Sequence, residues 1–305
     1  MSQSSHSAAR NFRGFFLALA AFGAILVSPV LRAAEYPFGY IYTTDTQPKG
    51  RFEVEQWVTT QRGQSRGDYS NMQYRTELEY GVTDNFQASI YANYNSVNAF
   101  ANNPDGTTGG RFVPDDADPA ARYKASFYDS TSLEFIWRLM SPYKDAFGLA
   151  LYLEPTYGPK RKELEGKLIV DKNFLDDQLV WAANLVAAQE QEKYPGEWEK
   201  EAEIQVLTGL SYRFAPRWSA ALEYRYVRGY FGNTWSASNR EFAAHFLGPT
   251  LHYADKRWWV TLSWLPQLSG AKGYTADAAE NVIDGRFYKE SFARNEFRIR
   301  AGFSF

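Results

Sequence analysis

The sequence predicts an all-β fold, a single transmembrane antiparallel up-and-down β-barrel of about twelve strands. Three observations predict it. Apolar and polar residues alternate with a period of two along most of the chain. The connections between the alternating stretches sort into short and long ones in turn. The chain is polar overall yet rich in aromatic residues. The alternation is clearest in the last stretch, Asn295 to Phe305, which reads N-E-F-R-I-R-A-G-F-S-F. Phe297, Ile299, Ala301, Phe303 and Phe305 fall on one face, and Glu296, Arg298, Arg300, Gly302 and Ser304 on the other. A period of two is a strand with two chemically different sides. An aromatic-rich edge strand ending on Phe305 invites aggregation in water. In a closed barrel the same strand pairs on both sides, and its aromatics can sit at a lipid–water boundary.

Composition agrees. Of 305 residues, 45% are hydrophobic and 17% aromatic, with 21 Tyr, 22 Phe and 9 Trp. The mean hydropathy is −0.47. After the N-terminus no apolar run approaches the roughly 20 residues that a membrane helix needs. Residues 1–34 have the pattern of a signal peptide: basic Arg10 and Arg13, an apolar stretch from Phe15 to Val27, then small residues at Ala33 and Ala34. As a helix that stretch reaches about 20 Å, short of a bilayer core of about 30 Å, so it is expected to be cleaved rather than to span. The barrel is then expected over 35–305 as one domain. Residues 1–34 contain Arg10, Arg13 and Arg32 and no acid, which leaves 33 − 3 = 30 bases against 35 acids. That balance argues against a nucleic-acid partner. The chain has no Cys, which excludes disulfides and thiol chemistry.

The elements follow in order. A leader, Glu35 to Gln47, and a Pro48-Lys49-Gly50 turn precede a first strand at about Arg51–Thr60. Gln61 to Ser70 reads as a loop, and Asn71–Tyr80 and Phe86–Asn95 as a hairpin around Gly81-Val82-Thr83-Asp84-Asn85. Gly and Asn supply the positive-φ positions of such a turn. Ser96 to Arg122, rich in Asn, Pro, Asp and Gly, is a long loop. Strands follow at Tyr123–Met140, Phe147–Tyr157 and Lys162–Val170, with Asp171 to Asp177 a turn. Gln178–Gln189 is the least periodic, because V-W-A-A-N-L-V-A-A also suits a helix; its neighbours make it a strand. Glu190 to Lys200 reads as a charged loop. Strands are expected at Glu201–Arg213, Trp218–Arg228, Glu241–Tyr253 and Arg257–Leu265. Pro266 to Glu290 is the last long loop before the closing strand.

Connections after strands two, four, six, eight and ten are short. Those after one, three, seven, nine and eleven are mostly long and polar, and the one after strand five is short. Outer-membrane barrels pair short periplasmic turns with long external loops, so both termini are expected in the periplasm. A secreted β-sandwich or lipocalin-like barrel also alternates. The terminal Phe305, the loop asymmetry and the aromatics near turn ends favour the membrane barrel. Tyr80, Phe86, Trp218, Trp258, Phe303 and Phe305 are the expected interface aromatics, with outer-membrane lipid as their partner.

If apolar residues face lipid, the other parity faces a lumen. The pore-lining candidates are Glu53, Glu55, Arg75, Glu77, Glu79, Glu134, Arg138, Glu154, Glu203, Glu223, Arg225, Arg298 and Arg300. Acids outnumber bases among the inward positions. Twelve strands about 4.8 Å apart and tilted about 40° enclose a cylinder of about 24 Å, so side chains leave a narrow lumen at best. Two readings stay open: a small-solute channel with a mild cation preference, or a scaffold closed by paired charges. A lipid-modifying outer-membrane enzyme is a third. His245 is the one outward-facing base for it, but its outward neighbours Tyr224, Tyr226, Leu262 and Trp264 include no Ser. His252 is inward. Asp115, Asp116 and Asp118 form an acidic loop without the spacing of an EF-hand. Phosphate loops, zinc spacings and nucleophile motifs are missing, so no cofactor, no metal and no catalytic residue is expected.

On the G-V-T-D-N-F turn and the alternating terminal strand ending in Phe305, the chain resembles Gram-negative outer-membrane β-barrel proteins over its whole length. The resemblance implies that barrel-assembly machinery reads the last strand during biogenesis. It carries over no functional residue. In the last strand, Arg298 and Arg300 are expected to face Glu53 and Glu55 across the barrel seam.

Overall fold

The structure, a computed structural model, describes residues 37–114, 116–193, 198–289 and 292–305. The expected signal peptide over 1–34, the first leader residues and Asp115 lie outside them. Twelve long strands form the wall: β1 Phe52–Arg62, β2 Asp68–Thr83, β3 Phe86–Phe100, β4 Tyr123–Met140, β5 Gly148–Tyr157, β6 Arg161–Phe174, β7 Leu179–Lys193, β8 Trp198–Ala215, β9 Trp218–Phe231, β10 Arg240–Ala254, β11 Trp258–Pro266 and β12 Asn295–Ser304. Each pairs antiparallel with the next, and β12 pairs with both β11 and β1. The sheet therefore closes with no free edge among these strands, which satisfies backbone N–H and C=O groups without help from solvent.

Alternation sends the two faces to opposite fates. Outward Ile90, Leu133, Leu153, Leu164, Leu185, Leu210, Leu222 and Ile299 are exposed, while inward Glu53, Glu55, Glu77, Glu79, Glu134, Glu223 and Glu296 are buried. This inverts a water-soluble fold, where charged side chains are almost never fully buried. The exposed face is a continuous apolar belt, far larger than the patches a soluble monomer shows.

At one rim the connections are tight: 84–85, 141–147, 175–178, 216–217 and 255–257. The Pro48–Gly50 turn and Phe305 share this short-turn rim, tied by hydrogen bonds from Gly50 N to Gly81 O (2.7 Å) and from Phe305 N to Phe52 O (2.9 Å). At the other rim, strands stand taller than their apolar pattern predicts. The expected loop Gln61–Ser70 shrinks to 63–67, and the expected charged loop Glu190–Lys200 shrinks to 194–197, which lie outside the described residues. Ladder pairing continues through polar pairs such as Gln61↔Asn71 and Glu190↔Glu201. Backbone pairing does not need an apolar face, so hydropathy underestimates strand length. The asymmetry of the connections is thereby reduced to two long ones, 101–122 and 267–294. The second contains a short helix α1, Ala276–Glu280, capped by Thr275, whose hydroxyl accepts from Ala278 N at 3.1 Å. It folds inward: Phe287 stacks on Phe242 at 4.4 Å, and the Gln267 side chain binds backbone at Phe287 and Ala293.

The seam corrects half of the expected pairing. Arg300 Nη2 lies 3.1 Å from Glu55 Oε2, and both side chains are buried. Arg298 does not meet a seam carboxylate. The register sets Arg300 opposite Trp57 and Arg298 opposite Thr59, one step too high. Arg298 Nε instead donates to Thr59 Oγ1 at 2.8 Å. Glu53 is held by Trp259 Nε1 at 2.9 Å and by the Ser304 hydroxyl. Arg300→Met strands the Glu55 carboxylate beside an apolar side chain, and removing one partner of a buried pair costs about 3–5 kcal/mol. Urea titration of the folded barrel, read by heat-modifiable gel migration, should register that loss. Arg298→Met should lose clearly less.

Candidate functional site

The leader enters the barrel. From Pro37 to Gln47 it crosses the lumen as an extended arch, and Phe38, Tyr40, Ile41, Tyr42, Thr43, Thr44 and Gln47 are all buried. An extended segment away from any sheet must find partners for its backbone groups, and inward side chains of the wall supply them. Glu223 of β9 accepts from three successive N–H groups: Gly39 at 2.7 Å, Tyr40 at 2.8 Å and Ile41 at 3.2 Å. Asn184 of β7 accepts from Tyr42 N at 2.7 Å and donates to Tyr42 O at 2.9 Å. Asp171 of β6 accepts from Thr44 N at 2.8 Å and from its hydroxyl at 3.0 Å. Gln87 of β3 accepts from Gln47 N at 2.8 Å. On the carbonyl side, Arg298 Nη1 donates to Gly39 O at 3.0 Å and Arg300 Nη1 to Phe38 O at 3.5 Å.

Small residues make room for the arch. A Cβ on Gly39 would fall 1.8 Å from Ser263 Oγ, and one on Gly209 would fall 2.8 Å from Ile41 Cδ1. Phe38 and Ile41 join Ala182, Val186, Leu207, Ala221 and Leu265 in one buried apolar cluster. This explains the blurred period of β7. Its inner face is apolar because the arch covers it, so both faces read as hydrophobic.

The arch divides the lumen. Toward the long-loop rim lies a cavity of about 310 Å³ with Tyr40 and Tyr42 at its base. Toward the short-turn rim lies a second of about 270 Å³, lined by Pro37, Thr43, Asp45, Thr46 and His252. Cations roof the two tyrosines: Arg298 sits 3.9 Å over Tyr40, and Lys167 4.1 Å over Tyr42, favourable contacts with the ring faces. Near the long-loop rim, Arg111 descends from the β3–β4 connection. It pairs with Glu190 and Glu192, and Nε donates to Glu192 at 2.7 Å. Arg161 binds Glu163 at 2.6 Å, Asp129 at 3.5 Å and also Glu190.

The predicted lumen residues distribute unevenly. Arg75, Glu154, Glu203, Arg225 and Arg298 line the larger cavity. Arg75 stacks between Trp57 at 4.5 Å and Tyr91 at 4.0 Å, and Arg225 pairs with Glu296 at 2.6 Å. Glu203 accepts from Gln205 at 2.7 Å, and Glu154 from Thr156 at 3.1 Å. Glu53, Glu55, Glu77, Glu79 and Glu134 lie closer to the short-turn rim and line neither cavity, while Glu223 is taken up by the arch. Arg138 sits at the short-turn rim, donating to Asn85 Oδ1 at 3.0 Å and to Asp84 O. The predicted aromatics Tyr80, Trp218, Trp258, Phe303 and Phe305 are exposed on the outer face, with Phe86 half-buried beside them. Trp258, Trp218 and Tyr253 form a chain of rings 4.9–5.0 Å apart. His245 Nδ1 is 2.7 Å from Tyr224 Oη, and His252 Nδ1 is 2.8 Å from Thr261 Oγ1.

Sequence reasoning missed Tyr40, Tyr42, Arg111, Arg161, Glu190 and Glu192. A signal existed for two of them, since Glu190 and Glu192 continue the inward parity of Asn184, Val186 and Ala188. Glu223→Ala leaves three arch N–H groups without their acceptor. Bonds to charged groups contribute about 1.5–3 kcal/mol each, so amide hydrogen exchange at Gly39–Ile41 should speed up by about tenfold or more, at about 1.4 kcal/mol per tenfold. Unchanged exchange would remove Glu223 as the anchor.

Residues 30–305 match the family described as Family of unknown function (DUF6662), and the chain belongs to it. No curated protein sequence matches the chain. Among solved structures, it is similar to an outer membrane channel from Pseudomonas putida F1, at 11% identity and a TM-score of 0.56, covering 86% of this chain and 98% of that one. Two other similar structures are the NanC porin (9% identity, TM-score 0.48, 83% and 98% covered) and the KdgM porin (11% identity, TM-score 0.44, 83% and 99% covered).

Proposed function

We propose that this member of a family of unknown function is an outer-membrane barrel whose lumen is a narrow channel for a small polar solute, with the arch as its gate. The apolar outer belt and the exposed aromatic chain at one rim support a membrane location. The short-turn rim then faces the periplasm and the two long connections face outward, which puts Phe305 at the periplasmic side for the assembly machinery. The shared fold with an outer membrane channel agrees with this reading.

The observation that carries it is the pair of cavities meeting at an arch held by side chains rather than by strand pairing. An arch fastened through single carboxylates and amides can leave when those contacts are exchanged for water or solute, while the wall stays intact. Open states a few kcal/mol above the closed one are populated at about 0.1–10%. Acids outnumber bases along the path, which favours cations over anions. A permanently closed scaffold is the second reading, favoured by the continuity of the arch's contacts with the wall.

Planar-bilayer recording separates the two. The full barrel should show rare, small, cation-preferring steps. Glu223→Ala/Asp171→Ala should raise the open fraction by about tenfold or more, the factor that corresponds to losing 1.4 kcal/mol or more of closure. Silence from both proteins would leave the scaffold. The membrane assignment has its own check: the chain should require detergent for extraction and migrate faster on gels before heating than after.

A further inference from the structure

Five carboxylates, those of Glu53, Glu55, Glu77, Glu79 and Glu134, gather in the wall between the arch and the short-turn rim, and each is buried. The single oxygens that Glu77, Glu79 and Glu134 can offer lie within 4.8 Å of one another. Two oxygens on opposite sides of a Ca²⁺ ion, each at about 2.4 Å, are about 4.8 Å apart. An acidic cluster can instead be neutralised by neighbouring bases, but here that compensation is thin. Among the described residues, Arg300 makes the one direct ion pair in the group, to Glu55. The Arg75 guanidinium lies over the faces of Trp57 and Tyr91 and makes no direct ion pair with any of the five.

Two further observations point to a ligand. Glu77 is 2% exposed, and neither of its carboxylate oxygens has a hydrogen-bond partner. A buried ionised carboxylate with no partner is among the most costly groups a protein can hold. Ser89 is 5% exposed and its hydroxyl is also unpartnered. Its place in the sheet is telling: β3 sets Ser89 opposite Glu79 of β2 on one side and opposite Glu134 of β4 on the other. An unused neutral oxygen therefore sits in the row that joins two of the three carboxylates.

We propose that Glu77, Glu79 and Glu134, with Ser89 as a neutral oxygen donor, bind a Ca²⁺ ion. The donor set is all oxygen and mostly carboxylate, which suits a hard cation; zinc would draw on nitrogen or sulfur. Ligands fixed on three adjacent strands give an irregular shell, which Ca²⁺ accepts and Mg²⁺, with its strict octahedron at about 2.1 Å, does not. The absence of His and Cys spacings in the sequence hid this site, because its ligands come from parity on neighbouring strands rather than from one motif. The ion also connects to the arch. Gln47 Nε2 donates to Glu79 at 3.3 Å and Tyr42 Oη to Glu134 at 3.2 Å, so an ion that orders these carboxylates orders the acceptors of the arch's descending limb. The site does not depend on whether a solute crosses the barrel.

The cluster lines neither cavity, so the ion is loaded during folding or when the arch moves, and it leaves slowly. The test folds the full chain in detergent with Ca²⁺, or with chelator, and desalts it. Metal content is then measured by mass spectrometry and stability by the temperature of heat-modifiable unfolding. Wild type should retain stoichiometric Ca²⁺ and unfold at a higher temperature than the chelator-treated sample. Glu77→Gln, which keeps shape and removes charge, should bind Ca²⁺ about tenfold or more weakly, as loss of ligand charge does in oxygen sites. Should that variant fail to fold, Ser89→Ala and Glu134→Gln decide: retention lost in them supports the site. No retention in wild type, or equal retention in wild type and every folded variant, overturns it.

Discussion

Three consecutive backbone N–H groups converging on the Glu223 carboxylate set the terms for the interior of this protein. A chain segment that enters a closed barrel brings bare amides with it, and the wall cannot add it as a strand because every strand edge is already paired. Acceptors must therefore come from side chains. The inward parity of the strands is rich in carboxylates and amides, and the arch lies where those groups can be met. Glu223, Asn184, Asp171 and Gln87 come from four different strands, yet they fall in sequence along one extended segment. The excess of acids over bases in the lumen, taken alone, would be a source of repulsion. With the arch in place, part of that excess serves as acceptors for backbone donors.

The same arrangement decides how space in the barrel is divided. A cylinder of twelve strands is narrow once both walls carry side chains, and the arch crosses its middle. What remains is a wider polar chamber under the long connections and a smaller one near the short turns. The chamber walls are held by charge pairs, Arg225 with Glu296 and Arg161 with its ring of acids, while Tyr40 and Tyr42 of the arch form the chamber's base under Arg298 and Lys167. The arch lies on an apolar cluster drawn from β7 to β11, while β1, β2 and β4 form a charged side with the buried carboxylates Glu53, Glu55, Glu77, Glu79 and Glu134. The buried acids Glu77 and Glu79 belong to that charged side.

Much of the wall was legible in the sequence. Alternation located eleven of the strands and their succession the seventh, the parity separated Glu53, Glu55 and Glu77 from Val54 and Leu78, and the terminal strand was read residue by residue. These succeeded because a strand's period of two is a local property that needs no knowledge of neighbours. Strand ends were less legible, since pairing continues beyond the apolar belt through residues such as Gln61 and Asn71. Register was not legible at all. Arg300 meets Glu55 and Arg298 does not, because a stagger of two residues between β1 and β12 is fixed by closure of the ring and leaves no trace in either strand alone.

The fold class, the number of strands and, outside β7, the side of the wall on which most strand residues lie follow from the residues alone, because each rests on backbone geometry and the cost of placing apolar or charged side chains on the wrong face. The tertiary structure alone decided the rest. The leader, which carries no period and reads as a linker, became the arch only because Glu223, Asn184 and Asp171, more than a hundred residues away, stand ready to accept its amides. The gathering of Glu77, Glu79, Glu134 and Ser89 likewise exists only once three strands lie side by side in one register. Interior contacts of a barrel are made across strands, so the information that specifies them is spread over the whole chain.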